Sequence, residues 1–347
     1  MHPREGFDSR APVSCGGRSP ISLERMKLLV TGGAGYIGGH TVHSLLRAGH
    51  DVVVLDDLSL GRREIVPEGV PFIEGSTRNP GALDEAFSHG IDGVIHFAAF
   101  KHAGVSVDEP LHTYSENVEG MLRLLEAMVR HQVSTIVFSS SSSVYGDVDT
   151  PVIHEDAPKN PVSPYGESKL IGEWMLRNQG VATGMKHCSL RYFNVVGSGV
   201  EGIYDTSPYS LLSMVFAALG RGESPKVFGT DYPTPDGTCI RDYIHVQHLA
   251  DAHVVAVERL LAGDQIETAY NLGTGTGTSV QEMMSEIAAA TGIDFTPDAS
   301  PRRPGDPFKV VASGDLAARD LKWSMEQSVK DMVSSAWKEY SAAHGVS

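Results

Sequence analysis

The sequence predicts an α/β fold, a doubly wound parallel sheet followed by a smaller C-terminal α/β lobe. Two observations lead to it: short buried strands alternate with helical stretches through the first half, and a glycine-rich turn sits directly after the first strand. Leu28–Val30, Val52–Leu55, Val94–Phe97 and Ile136–Phe138 are short runs, largely β-branched or Leu, bounded by turn residues, as buried strands are. Thr41–Ala48 and Met121–Arg130 read as helices between them, the second with Leu122, Leu125, Met128 and Val129 on one face. Strand–helix alternation of this kind gives a parallel sheet with right-handed crossovers.

The second half is less regular. Residues 197–210 read as a loop, Leu211–Leu219 as a helix, Val227-Phe228 as a short strand and Pro233–Gly237 as a turn. Ile244–Leu261 reads as a helix after a short strand, Tyr270–Leu272 as a strand, and Val280–Ala290 as a helix. Residues 1–25 are rich in Arg, Pro, Ser and Gly without periodicity and read as a disordered extension. The expected domains are 26–195, with a return segment at about 239–265, and a second lobe built from 196–238 and 266–347.

Composition narrows the function. The chain has 347 residues, 41% hydrophobic and 20% charged, as a globular protein does. A formal net charge of −15 repels phosphate backbones and argues against a nucleic-acid partner. No apolar run reaches the roughly 18 residues that span a bilayer. The three cysteines, Cys15, Cys188 and Cys239, form no C-x-x-C pair, which fits a reducing cytoplasm and neither a disulfide framework nor a zinc site. His245 and His248 have a ligand-like spacing but no accompanying third ligand, so no metal is expected.

The turn after the first strand is T-G-G-A-G-Y-I-G. Gly33, Gly35 and Gly38 give G-x-G-x-x-G, and Gly32, Gly35 and Gly38 give the same element with wider spacing. Between a strand and a helix, such glycines let the backbone approach a pyrophosphate that the helix N-terminus then binds, as in a Rossmann domain. Asp56, at the end of the second strand, is set to accept bonds from the adenosine ribose and to repel a 2′-phosphate, favouring NAD over NADP. Asp57 is a second candidate that reads equally as a loop carboxylate. Phe97, Ala98 and Ala99 end the third landmark strand, where small residues let a cofactor lie against the backbone; His96 beside them reads as a packed histidine.

S-P-Y-G-E-S-K puts Tyr165 and Lys169 one turn apart on a helix. A nearby ammonium, together with a positive nicotinamide, would favour phenolate and bring the tyrosine towards the range of a useful base. Upstream, Ile136–Phe138 runs into Ser139–Ser143, hydroxyls at a strand's carboxyl end.

These segments, with I-H-F-A-A-F-K, F-S-S-S-S-S-V-Y-G, L-R-Y-F-N-V-V-G, D-Y-P-T-P-D-G-T-C-I-R-D-Y-I-H-V and Y-N-L-G-T-G, resemble the UDP-glucose 4-epimerase family of extended short-chain dehydrogenases, from about residue 27 to 340. The resemblance implies that Tyr165 takes the proton of the sugar 4-hydroxyl while hydride leaves C4 for NAD. The 4-ketose then turns over and is reduced on its other face. It implies Ser141 as the active-site hydroxyl, and Tyr36, Ile37, Lys101, Asn117 and Phe193 in the cofactor set. Asn194, Ser210, Leu211, Val227, Phe228, Arg241, Arg303, Asp306 and Val310 are implied around the UDP-sugar. Two arginines suit a diphosphate because guanidinium is a planar bidentate donor. The resemblance also implies a homodimer through a helix bundle.

Three departures from the family pattern stand out. Ser76 stands where the family has an aspartate beside the adenine, and Ser210 and Ser213 replace an Asn and a Pro near the substrate. Val310, smaller than a tyrosine, leaves room for an N-acetyl group. The implied substrate is UDP-glucose/UDP-galactose, extending to N-acetylated forms. UDP-glucuronate, a UDP-pentose, or a non-catalytic NAD- and nucleotide-sugar-binding role are the alternatives. A 4,6-dehydratase is disfavoured because Ser141, Ser142 and Ser143 supply no carboxylate.

Overall fold

The computed structural model describes residues 25–148, 150–303 and 307–346; the expected N-terminal extension, apart from Arg25, and Asp306 lie outside the described residues. In the first half, β1 (Lys27–Thr31), α1 (Tyr36–Arg47), β2 (Asp51–Asp56), β3 (Phe72–Glu74), α2 (Pro80–Phe87) and β4 (Gly93–His96) follow in order. Next come α3 (Ala103–Asp108), α4 (Pro110–Tyr114), a π-helical turn at Ser115–Glu119, α5 (Gly120–Arg130), β5 (Thr135–Ser139), α6 (Pro164–Thr183) and β6 (Lys186–Tyr192). The second half contains β7 (Asn194–Val196), α7 (Leu211–Gly220), β8 (Lys226–Phe228), β9 (Ile240–Arg241), β10 (Tyr243–His245), α8 (Val246–Leu261) and β11 (Ala269–Leu272). It ends with β12 (Thr278–Ser279), α9 (Val280–Thr291), β13 (Asp298–Ser300), β14 (Lys309–Val310), α10 (Asp315–Leu321) and α11 (Val329–His344).

Seven parallel strands form the main sheet in the order β11-β6-β5-β4-β1-β2-β3. The chain reverses direction across the sheet between β1 and β4, which pair from Leu28↔Gly93 to Thr31↔His96. The crevice at the carboxyl ends of such a switch point is where α/β sheets bind ligands. One apolar layer, with Val42, Leu45, Leu249 and Val257, lies under α1 and α8. The other, with Leu83, Leu124, Met128 and Leu176, lies under α2, α5 and α6. Both faces of the sheet are thus covered, which is why its strands are continuous hydrophobic runs.

The second lobe packs α7, α9 and α11 around Phe216, Met283 and Trp337, with three small sheets, β10-β7, β12-β9-β14 and β13-β8. Two expectations need correction. The strand at Tyr270–Leu272 belongs to the main sheet, not to this lobe, because β11 pairs with β6 from Ala269↔Ser189 to Leu272↔Tyr192. The stretch after it also returns: Ala317, Leu321 and Trp323 join the core of the main sheet. On α5 the buried face holds Met121, Leu124, Leu125, Ala127 and Met128, while Leu122 and Val129 are 44% and 55% exposed. The expected face was therefore rotated. Among the described residues, no helix is long and apolar enough to cross a membrane.

Candidate active site

Two features make the turn after β1. Gly32 has φ +74°, a left-handed conformation that only glycine adopts without strain, and a Cβ there would lie 2.7 Å from the backbone nitrogen of Ala98. A Cβ on Gly38 would lie 2.1 Å from the Gly32 carbonyl oxygen, so this glycine lets α1 pack onto its own turn. Gly35 differs: its φ is −84°, and its Cβ would meet no atom within 4 Å except the Gly32 carbonyl at 3.3 Å. The protein itself has little need of glycine there. A ligand in front of the α1 N-terminus does, and this residue-free cradle fits a dinucleotide pyrophosphate. Gly35 caps α1 without a side-chain bond, leaving backbone donors of the first turn free for an anion. The Tyr36 and Ile37 side chains are occupied elsewhere. The Tyr36 hydroxyl donates to the Gly197 carbonyl at 2.5 Å, and Ile37 packs on the core, so only their backbone faces the cradle.

Asp56 ends β2 and is 7% exposed. Its carboxylate accepts from the Ala34 and Leu58 amides, both at 2.9 Å, and burial raises its pKa against those bonds. It therefore braces the glycine turn while retaining lone pairs for a ribose. Asp57 accepts from the amide and hydroxyl of Ser59 in an exposed loop, as its alternative reading expects. The Ser76 hydroxyl accepts from the Arg78 amide at 3.2 Å. Phe97 and Ala98 follow β4 with their amides bonded to the Thr31 carbonyl, which sets this segment, with Ala99, beside the glycine turn. His96 bonds Thr31 at 2.7 Å, stacks on Phe138, and is pushed down to about 3 by burial; it is a neutral packed histidine.

Asn117 lies in the π-helical turn, and both its amide protons are committed, to the Phe100 carbonyl at 3.0 Å and to Ser168 Oγ at 2.8 Å. Its oxygen accepts from the Phe100 amide at 2.7 Å. Expected to bind the cofactor, it acts here as a clamp between the loop after β4 and α6. Lys101 is 43% exposed with Nζ 4.0 Å from the Asp205 carboxylate, at the edge of the same loop.

The expected reacting groups lie on α6 and just after β5. Ser163 caps α6 by accepting from the Gly166 amide at 3.2 Å, and Pro164 takes the first helical position. That start places Tyr165 in the first turn, its amide donating to Ser106 Oγ at 3.1 Å. Lys169 follows one turn later, 3% exposed, and donates to the Ser139 carbonyl at 2.9 Å. Its ammonium lies 5.8 Å from the centre of the Tyr165 ring. Ser141 continues from β5, 7% exposed, with its hydroxyl near enough to the Tyr165 side chain to lower that phenol's pKa. The structure thus gathers Ser141, Tyr165 and Lys169.

The electrostatics differ from the expectation. Burial raises the Tyr165 pKa, and the Ser141 bond offsets this only in part. Burial also brings Lys169 down to about 7, with no carboxylate to oppose it. A lysine that has itself lost much of its charge preference does little to ionise a phenol. Burial thus disfavours the phenolate in the protein alone, and a positive group brought in by a ligand would favour it.

A cleft of about 440 Å³ opens in the second lobe, between β7, α7, β8 and β9. Asn194, Ser210, Leu211, Phe228, Arg241 and Arg303 line it together, as expected. Arg303 lies over the Phe228 ring at 4.1 Å, and Arg241 is held in β9 between β12 and β14. Val227 is not in the lining; it is buried in the lobe core because strand alternation turns it away from Phe228. Val310 pairs with Arg241 and packs on the cluster around Tyr145 and Phe193. Ser210 donates to Ser213 at 2.9 Å, and Ser213 donates to the Asp205 carbonyl at 2.8 Å, so the two serines pin the loop before α7. The lining also includes Met214, Arg221, Lys226 and Cys239, none of them anticipated. Lys226 directly precedes the anticipated Val227-Phe228, the only sequence signal that pointed towards it.

His245 caps α8, accepting from the Gln247 amide at 3.1 Å, and burial lowers it to about 4. No cluster of three or more metal-ligating side chains occurs among the described residues.

Comparison with known proteins agrees with this geometry. The sequence model of the NAD dependent epimerase/dehydratase family matches residues 28–273. A UDP-glucose 4-epimerase of Azospirillum brasilense is 44% identical over 302 residues, 86% of each chain. A crystal structure of a UDP-glucose 4-epimerase superposes with a TM-score of 0.88 at 40% identity, covering 91% of this chain and 98% of that one. The Bifidobacterium longum UDP-glucose 4-epimerase, solved with NAD+ and UDP, superposes with a TM-score of 0.84 at 35% identity, covering 92% of this chain and all of that one. With a matching glycine cradle, switch point and Tyr–Lys helix, the chain belongs to the NAD dependent epimerase/dehydratase family.

Proposed function

We propose that this chain is an NAD-dependent isomerase that inverts C4 of a UDP-sugar, with UDP-glucose and UDP-galactose as the pair. The observation that carries this reading is the gathering of Ser141, Tyr165 and Lys169 at β5 and α6, in a chain whose second lobe holds a cleft lined by Arg241 and Arg303. NAD supplies a reversible hydride acceptor when bound. Tyr165 and Ser141 hold the sugar 4-oxygen between two hydroxyls, and Tyr165 moves its proton. Lys169, fixed by the Ser139 carbonyl, keeps a donor beside the phenol. Gly32, Gly33, Gly35 and Gly38 hold the pyrophosphate at the α1 N-terminus, and Asp56 takes the ribose. Arg241 and Arg303 neutralise the UDP diphosphate, and Phe228 offers an aromatic face beside it. Val310, smaller than a tyrosine, is the position at which N-acetylated sugars would be admitted.

A homodimer accompanies this reading. On the sheet face covered by α5 and α6, Leu122 and Val129, and Trp174 and Val181, form exposed i, i+7 pairs, with Leu111 83% exposed on α4. Apolar stripes of this kind suit a helix bundle between two copies. A buried thiol at Cys188 suits a cytoplasmic protein.

The test is a panel of UDP-glucose, UDP-galactose, both N-acetylated forms, UDP-glucuronate and UDP-xylose, with products resolved by chromatography. Conversion of one pair, reduced about 10²- to 10⁴-fold in Tyr165→Phe, is expected. No conversion of any sugar with NAD supplied would overturn the reading.

A further inference from the structure

A buried polar chain lies behind the reacting groups. Glu173 is on α6, one turn beyond Lys169 and two beyond Tyr165, so the three share a face of the helix. Its Oε1 accepts from the Ser140 hydroxyl at 2.6 Å. Arg191 of β6 grips the same carboxylate with both arms, Nε to Oε1 at 2.8 Å and a terminal nitrogen to Oε2 at 2.6 Å. The two side chains are 10% and 6% exposed. The other guanidinium nitrogen donates to the Tyr145 hydroxyl at 2.8 Å, which donates to Asn271 Oδ1 of β11 at 2.7 Å. Asn271 Nδ2 donates to the Ile153 carbonyl at 3.1 Å, and Ile153 bridges to Ala312, whose amide donates to Asp242 beside Arg241. Hydrogen bonds, joined through the Ile153–Ala312 β-bridge, therefore link α6 to the residue that follows Arg241.

Ser140 is the point where this chain touches the reacting groups. It is fully buried between Ser139, whose carbonyl holds Lys169, and Ser141, whose hydroxyl lowers the pKa of Tyr165. We infer that Ser140 and Glu173 are positioning residues: their bond fixes the end of β5 against α6 and so sets Ser141 and the Ser139 carbonyl at working distance from Tyr165 and Lys169. Neither touches the substrate. Arg191 matches the charge of the Glu173 carboxylate and orients it as an acceptor for Ser140. This role rests on the epimerase reading for its kinetic consequence, not for its geometry.

Two variants test it in the holoenzyme. Ser140→Ala removes only the link. Glu173→Met with Arg191→Met removes both charges together and leaves no unpaired ion to unfold the protein. For each, kcat should fall about ten- to hundredfold, as a small misplacement of reacting groups does, with KM within about twofold of the parent. Amide hydrogen exchange across 139–144 should quicken in both. Ser140→Ala added to the double variant should cost nothing further, since the link is already gone. Parent-like kcat in Ser140→Ala, or losses that simply add, would overturn the role. The exchange comparison decides the positioning role whatever sugar the enzyme turns over, and unchanged exchange would overturn it. Absence of turnover in the parent protein would defeat the functional reading alone.

Discussion

Gly35→Ala separates cofactor binding from folding. At Gly38 a methyl group would sit 2.1 Å from a backbone carbonyl, and at Gly32 it would meet backbone at 2.7 Å in a left-handed conformation, so those substitutions damage the fold itself. At Gly35 the backbone is already extended, with φ −84° and ψ 175°, and the single near atom is 3.3 Å away. Alanine reduces the freedom of the unfolded chain by about 0.4–1 kcal/mol, which offsets the few tenths of an ångström by which the turn must give. The melting temperature of the cofactor-free protein should therefore move by no more than about 2 °C, since 1 kcal/mol is a small shift for a chain of this size. The methyl group projects into the space before the α1 N-terminus, where a phosphate must come within hydrogen-bond distance of the amides. Losing that contact removes about 2 kcal/mol of anion stabilisation at a partly buried helix end, and 1.4 kcal/mol is tenfold in affinity. The assay is NAD titration of the stripped protein by calorimetry, paired with thermal melting. NAD affinity should fall by about thirtyfold at an almost unchanged melting temperature. Parent-like NAD affinity would refute the placement of the pyrophosphate at this turn, and a collapse in melting temperature would refute the argument that Gly35 is free of packing.

Three further outcomes follow from the same structure. Lys169 is held at about 7 by burial, against its ordinary 10.5, so below pH 7 it is charged in both states and the buried charge weakens the fold in full. Between pH 7 and 10.5 the unfolded chain binds the extra proton and stability rises with pH. Lys169→Met should therefore melt higher than the parent at pH 7, by a margin that narrows towards pH 10, while activity is lost. Melting the cofactor-free proteins at both pH values checks the sign. Arg241→Ala and Arg303→Ala should each weaken UDP binding by about ten- to a hundredfold, measured by calorimetry, with NAD content unchanged, because both arginines lie in the cleft and not at the glycine turn. Trp174→Glu should shift the protein to monomers in sedimentation, since Trp174 is 47% exposed on the proposed interface and contributes nothing to the core.

The main elements were legible because their signals are local. Strands β1, β2, β4 and β5 are short apolar runs, and the glycine turn is eight consecutive residues whose geometry depends on one another. Tyr165 and Lys169 were legible because a helix converts a spacing of four into a shared face. Elsewhere the signal was not local. On α5, Leu122 and Val129 are as apolar as Leu125 and Met128, and only the position of the sheet decides which side is buried. Tyr270–Leu272 was found as a strand, but its membership in the main sheet rests on pairing with β6, some eighty residues earlier in the chain. Asn117 was read as a cofactor ligand, and its amide is taken up by Phe100 and Ser168.

The sequence by itself determined the glycine turn after β1 and the shared helix face of Tyr165 and Lys169, because each depends on neighbours in the chain, while Arg241 and Arg303 were singled out by resemblance to a family. Tertiary structure alone decided how those groups are tuned. Burial raises Tyr165 and lowers Lys169, and burial is a property of everything packed around a side chain rather than of its neighbours in the chain. The Ser140–Glu173–Arg191–Tyr145–Asn271 chain joins residues spread over more than a hundred positions, and hydrogen bonds form between atoms that the fold brings within 3 Å, which no spacing records.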